Sequence, residues 1–275
     1  MQKPFDPQGV CRFTTGFAAA PCFRVYPASF TMRPFPLVLL LTTQPTATMT
    51  QQHTVRIWDL PTRIFHWTLA ACVVALVVTA KVGGNAMEWH FRLGHVVLAL
   101  LVFRAVWGLI GGRWSRFASF LYSPARLLRY VRGAAHAEDG IGHSPLGALS
   151  VFALLAVLAA QVATGLLSDD EIAFAGPLTR FVSNAVVGQA TGYHKEIGQY
   201  LVLALVALHL LAIVFYVLVR KQRLVKPMLH GDKALAAPAP ASRDDLATRA
   251  AALVVLGLSL GLAWWVSTLA AAPGF

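Results

Sequence analysis

The sequence predicts an all-α membrane protein: a four-helix transmembrane bundle with a fifth, C-terminal transmembrane helix. Three observations predict it. Of the 275 residues, 57% are hydrophobic and only 13% charged, whereas about a quarter of the residues of a soluble domain are charged. The apolar residues come in runs rather than amphipathic stripes. Five runs, at about 64–82, 93–110, 146–167, 197–219 and 250–269, reach the roughly 20 residues a helix needs to cross a hydrocarbon core of about 30 Å. Lipid satisfies no open backbone group, and the dyad alternation of a membrane β-barrel is absent from these runs, so they are expected to be helices.

Residues 1–53 differ from the rest. They mix scattered prolines, three Phe-containing fragments and an apolar run at 37–41 that is too short to span and lacks the layout of a secretory signal. They read as a disordered N-terminal segment, or as an over-extended start ahead of Met49. A transmembrane domain is expected over 54–233. Its first helix is announced by Trp58-Asp59-Leu60-Pro61, where Asp59 can cap the helix and Pro61 suits its first turn; the same turn could shape a quinone pocket.

The basic residues set the orientation. The link after the second helix carries Arg113, Arg116, Arg126, Arg129 and Arg132, and the segment after the fourth carries Arg220, Lys221, Arg223, Lys226 and Lys233. The opposite links hold Lys81 and Arg92, and Arg180 and Lys195 beside Asp169, Asp170 and Glu171. The positive-inside rule then makes the N-terminus cytoplasmic and the C-terminus periplasmic, in a multi-pass protein of the bacterial inner membrane, with Trp264 and Trp265 at the outer interface. The Pro/Ala-rich stretch 234–249 reads as a linker, and 250–275 as the additional helix and tail. A net charge of +11 is on this view a topology signal with membrane lipid as its partner. Basic residues that flank apolar spans argue against nucleic-acid binding.

Cys11, Cys22 and Cys72 show neither metal-ligand spacing nor a Cys-x-x-Cys-His haem-attachment motif. The histidines carry more information. Of nine, five lie in or at the ends of the expected spans: His66, His90, His95, His194 and His209. Such side chains are costly in a bilayer and mark functional sites, although a single one can serve as an interhelical hydrogen bond. Spacing distinguishes the two. His194 and His209 are 15 residues apart, which puts them within roughly 60° of one helix face and about 22 Å apart along the axis. His66, just past the inner segment, and His90, at the outer start of the second helix, supply partners at matching depths. Two bis-histidine sites result, His66 with His209 and His90 with His194, and two axial imidazoles saturate a haem iron, which suits electron transfer. His95 is the alternative to His90, because the two point about 140° apart and one iron can take only one of them. His90-Phe-Arg-Leu-Gly94 and His194-Lys-Glu-Ile-Gly198 share His-x-x-x-Gly, where the glycine would leave room for a flat macrocycle.

The segment Arg56-Ile-Trp-Asp-Leu-Pro-Thr-Arg-Ile-Phe-His66-Trp67, then Trp89-His90 to Gly94, Phe103-Arg104-Ala-Val-Trp107-Gly108, and Arg116-Phe117 before Ser123-Pro124 resembles the bacterial cytochrome b561 family, which includes the b-type cytochrome subunits of nickel-iron hydrogenases. The resemblance spans roughly 54–233 and implies four transmembrane helices that bind two haem b groups, with His66, His90, His194 and His209 as the iron ligands. The chain departs from the family pattern at His95, where relatives commonly carry an aromatic residue, and in its fifth helix.

The expected function is a membrane di-haem cytochrome b that transfers electrons between the quinone pool and a redox partner such as a c-type cytochrome. An alternative makes the chain the membrane-anchor cytochrome b of a hydrogenase or dehydrogenase complex. A reading from another class, a metal or proton transporter, lacks paired intramembrane carboxylates and broken spans. No catalytic residue is expected. Arg63, Arg104 and Arg116 suit helix-end anchoring, haem propionates or lipid phosphate. Gln161 and Thr164 suit helix packing or a quinone site.

Overall fold

The structure, a computed structural model, describes residues 52–270. The expectation for 1–53 therefore lies outside the described residues except at its last two positions. Among the described residues five helices are long and apolar enough to cross a membrane: α1 (Leu60–Val82), α2 (Ala86–Ile110), α4 (Pro145–Leu166), the continuous helix Asn184–Leu218, and α8 (Leu246–Thr268). The fourth of these comprises α5 (Asn184–Gly192), a π-helical turn (Tyr193–Gly198) and α6 (Gln199–Leu218). Two shorter helices, α3 (Pro124–Val131) and α7 (Val225–His230), lie in the basic segments. The second and fourth spans begin earlier than their apolar runs do. Met87, Glu88, Trp89 and His90 are already helical, as is the whole stretch from Asn184, because helices extend into the interface where polar side chains cost little.

The start of α1 follows the expectation for its turn. Asp59 caps it by accepting from the Thr62 amide at 2.8 Å, with Pro61 in the first turn. Asp59 is wholly buried and does more than cap: it also accepts from Trp107 Nε1 at 3.3 Å, the Gly112 amide at 3.1 Å and Ser115 Oγ at 2.6 Å. A Cβ on Gly112 would stand 2.3 Å from Asp59 Oδ2, so this close approach requires glycine. One carboxylate thus ties the start of α1 to the end of α2. At the other end, Gly83 and Gly84, at φ 67° and 53°, turn the chain tightly from α1 into α2 in a region that glycine tolerates best.

The core lies between α1, α2 and α8, where Phe65, Cys72, Val97, Leu100, Phe103, Trp107 and Ala252 pack together. The fifth span therefore packs on α2, presenting Ala252, Ser259 and Ala263 to the interior, small residues that let membrane helices approach closely. On the other side α4 packs on α6 and on the π turn.

The basic end is closed by a small cap. β1 (His53–Arg56) pairs antiparallel with β2 (Asp232–Leu235), Arg56 opposite Asp232. Arg56 bonds Asp232 at 2.5 Å and Asp244 at 2.6 Å, and Asp244 also accepts from the Leu60 amide and from Arg249. The stretch read from composition as a linker thus contains part of a paired strand and, at Ser242, a buried junction: Ser242 Oγ donates to the Ile57 carbonyl at 2.7 Å and accepts from the Trp114 amide.

Candidate functional site

The histidines of α1, α2 and the fourth span meet in two pairs. The ring centres of His66 and His209 are 6.4 Å apart, with their planes at 52°. Those of His90 and His194 are 6.2 Å apart, with their planes at 90°. An imidazole nitrogen binds a transition metal at about 2 Å and lies about 1.1 Å from its ring centre, so two axial ligands on one iron place their ring centres about 6.2 Å apart. Both pairs fit one iron between them. The backbones leave room as well: among the described residues α6 packs on α4 but makes no extended backbone approach to α1 or α2, so the imidazoles reach across a gap.

The pair at the end opposite the cap is held from its outer nitrogens. His90 Nδ1 lies 3.0 Å from the Leu76 carbonyl and His194 Nδ1 lies 2.9 Å from the Gln161 carbonyl. A carbonyl only accepts, so both Nδ1 atoms carry the proton and both Nε2 atoms keep a free lone pair, the tautomer that metal-binding histidines adopt. The π turn contributes here. Within this turn the His194 carbonyl accepts from Gln161 Nε2 at 3.0 Å. Gln161 therefore grips His194 at two points. Gly165 permits this contact, since a Cβ there would be 2.8 Å from the His194 ring.

A cavity of about 530 Å³ opens around this pair, lined by apolar residues such as Leu76, Phe91 and Leu166 together with His90, His95 and His194. Gly94 borders it with open space before its Cα, as His-x-x-x-Gly implies. Gly198 does not behave likewise. Its free side is filled by the Gln161 side chain and Tyr193.

His95 is turned differently. Its Nδ1 bonds the Phe91 carbonyl of its own helix at 2.7 Å, its Nε2 is buried without a partner among the described residues, and it is His90 that stands opposite His194. Near the other pair, His66 Nδ1 is likewise buried and unpartnered. Thr164 bonds only carbonyls of its own helix. Arg63 Nη1 donates to the Leu229 carbonyl at 2.6 Å, which docks α7 on α1. Arg104 is no helix-end anchor at the surface: it is 3% exposed. Two contributors were beyond sequence reasoning. The acceptors for His90 and His194 are main-chain carbonyls, which any residue supplies, and His143 comes beside Arg104 only through the fold of the link before α4.

A helical membrane bundle with two facing pairs of histidines, each spaced for one iron, defines the class: a haem-binding membrane protein. The family model for prokaryotic cytochrome b561 matches residues 57–231, and the chain belongs to that family. It is a multi-pass bacterial membrane protein and a b-type cytochrome, which works by electron transfer on haem b. Among curated proteins it is similar to a probable Ni/Fe-hydrogenase B-type cytochrome subunit of Azotobacter vinelandii, 27% identical over 218 residues that cover 66% of this chain and 89% of that one. It is also similar to a probable Ni/Fe-hydrogenase 1 B-type cytochrome subunit of Escherichia coli (strain K12), 25% identical over 136 residues covering 40% and 57% of the two chains. No solved structure matches.

Proposed function

We propose that the chain is a di-haem cytochrome b that passes electrons between the quinone pool and a redox partner protein, with His66 and His209 as axial ligands of one haem b and His90 and His194 as those of the other. The observation that supports it is the pair of ring-centre separations, 6.4 and 6.2 Å, across helices that otherwise keep apart. Haem b supplies one-electron chemistry, and two imidazoles leave its iron no open position for oxygen. The protein's own part is orientation and exclusion. The Leu76 and Gln161 carbonyls hold two rings with their lone pairs forward, and apolar side chains such as Leu76, Phe91 and Leu166 line the cavity around them. Nothing here asks for a nucleophile or a proton donor. The basic links support an orientation with the cap end in the cytoplasm and the His90–His194 pair toward the periplasm.

The names of the relatives favour a hydrogenase as the partner, with this chain as its membrane cytochrome subunit; a c-type cytochrome would serve the same role in a free-standing carrier. Co-purification of a hydrogenase with the tagged full chain from native membranes distinguishes the two. The di-haem reading is tested by a pyridine-haemochrome count and a reduced-minus-oxidised spectrum of the purified protein. About two haem b per chain are expected, falling to about one in His209→Ala and in His90→Ala. A chain purified without haem would overturn it in favour of metal or proton transport.

A further inference from the structure

Arg104 is a cation buried in the bundle. Its neighbour Phe103 lies 6.2 Å from Phe65, the residue before His66, so Arg104 and His66 leave adjoining helices at one depth. The guanidinium lies over the Phe117 ring at 4.5 Å. Phe117 leads through Phe120, 6.0 Å away, to His143, which sits 4.3 Å from Phe120 and 4.6 Å from Trp58. Three polar atoms of this neighbourhood, Arg104 Nη1, His143 Nδ1 and His66 Nδ1, are buried without a hydrogen-bond partner among the described residues.

The nearby carboxylate cannot serve Arg104. Asp59 Oδ1 accepts from the Thr62 amide and Trp107 Nε1, and Oδ2 from the Gly112 amide and Ser115 Oγ, which uses the roughly four acceptor sites of a carboxylate. Burial pushes His143 down to about 3, with Arg104, His66 and Lys233 adding to the effect, so His143 stands neutral and offers a hydrogen bond but no charge. Among the described residues the positive charge of Arg104 has no bonded anion in its desolvated place, an arrangement that is strongly destabilising unless an anion completes it.

We propose that Arg104 and His143 form a buried carboxylate-binding site, and that its occupant is a propionate of the haem held between His66 and His209. This rests on the di-haem reading above. The planar fork of a guanidinium matches a carboxylate in two parallel bonds. A lipid phosphate offers similar chemistry, but it would have to leave the interface and enter a site where Arg104 is 3% exposed, whereas a propionate arrives attached to the group that His66 binds.

The test is potentiometric titration, with resonance Raman spectra of the propionate bending modes, on the unmodified protein and on Arg104→Gln and Arg104→Lys. A nearby cation favours the reduced, less positive haem, so Arg104→Gln should lower the midpoint of one haem, leave the other in place and shift one propionate band; Arg104→Lys should give a smaller shift. The unmodified chain reconstituted with haem dimethyl ester, which has no free propionate, should lack the propionate band that Arg104→Gln moves and should show a raised midpoint, since a negative charge that favours ferric iron is gone. Should Arg104→Gln not assemble, Arg104→Lys decides through the propionate band and midpoint of one haem. Two haems with unchanged midpoints and bands would overturn the carboxylate site and leave the di-haem reading standing. An Arg104→Gln midpoint shift with unmoved propionate bands would assign the site to a lipid phosphate and equally overturn it. Absence of haem from the unmodified protein would sink both.

Discussion

The two histidine pairs have nearly the same separation but different surroundings. At His90–His194, main-chain carbonyls of α1 and α4 hold both outer nitrogens, the ring planes are perpendicular, and a cavity of about 530 Å³ surrounds the pair. At His66–His209 the planes stand at 52°, His66 Nδ1 is buried without a partner among the described residues, and the buried guanidinium of Arg104 belongs to the adjoining helix at the same depth. The difference teaches that helix depth brings two ligands together, while the atoms behind them decide how each site is tuned. A hydrogen bond to Nδ1–H makes an imidazole more basic and favours ferric iron; a buried cation favours ferrous iron.

The largest expected effect tests what keeps the pairs in register at the cap end. Asp59→Leu would leave four donors without their acceptor and should cost about 3–5 kcal/mol, read as a lower thermal midpoint in detergent, with the haem between His66 and His209 released first. An unmoved melting curve would show that Asp59 does not organise this end.

Next is the split in potential. Two hydrogen bonds to Nδ1, at about 1 kcal/mol each, should set the His90–His194 haem on the order of 80 mV below its neighbour, given roughly 59 mV per tenfold for one electron. His90→Ala should then retain only the higher component in a potentiometric titration. Retention of the lower one would reverse the comparison.

A smaller change is expected from Gln161→Leu, which removes the side-chain bond to the His194 carbonyl and spares the carbonyl that holds its ring. Both haems should stay, with a loss of about 1 kcal/mol in stability and a midpoint shift of tens of millivolts. Loss of a haem would show that the π turn depends on this glutamine.

The smallest effect is the most diagnostic for the ligand set. His95→Phe should keep about two haems per chain and an unchanged reduced spectrum, because His95 Nδ1 bonds its own helix and it is His90 that stands opposite His194; a haem count near one would make His95 the ligand.

Much of this was legible in the sequence because lipid simplifies the problem. Five spans follow from runs of apolar residues, and the Asp59 cap from Trp58-Asp59-Leu60-Pro61. The matching depths of His66 with His209 and of His90 with His194 follow from residue number along each helix, and the structure brings the same pairs together. Gly94 behaved as its motif implied, and Gly198 did not, because a π turn is decided by what packs against it rather than by local propensity.

By itself, then, the sequence determined which segments cross the membrane and at what depth each histidine lies, because both quantities scale with position along a helix. Only the tertiary structure decided which faces meet. It placed α8 on α2, joined β1 to β2 across nearly the whole described chain, turned main-chain carbonyls onto two imidazoles and buried Arg104 beside His143. These depend on rotation about helix axes and on backbone groups that every residue shares, and neither is written in residue identity.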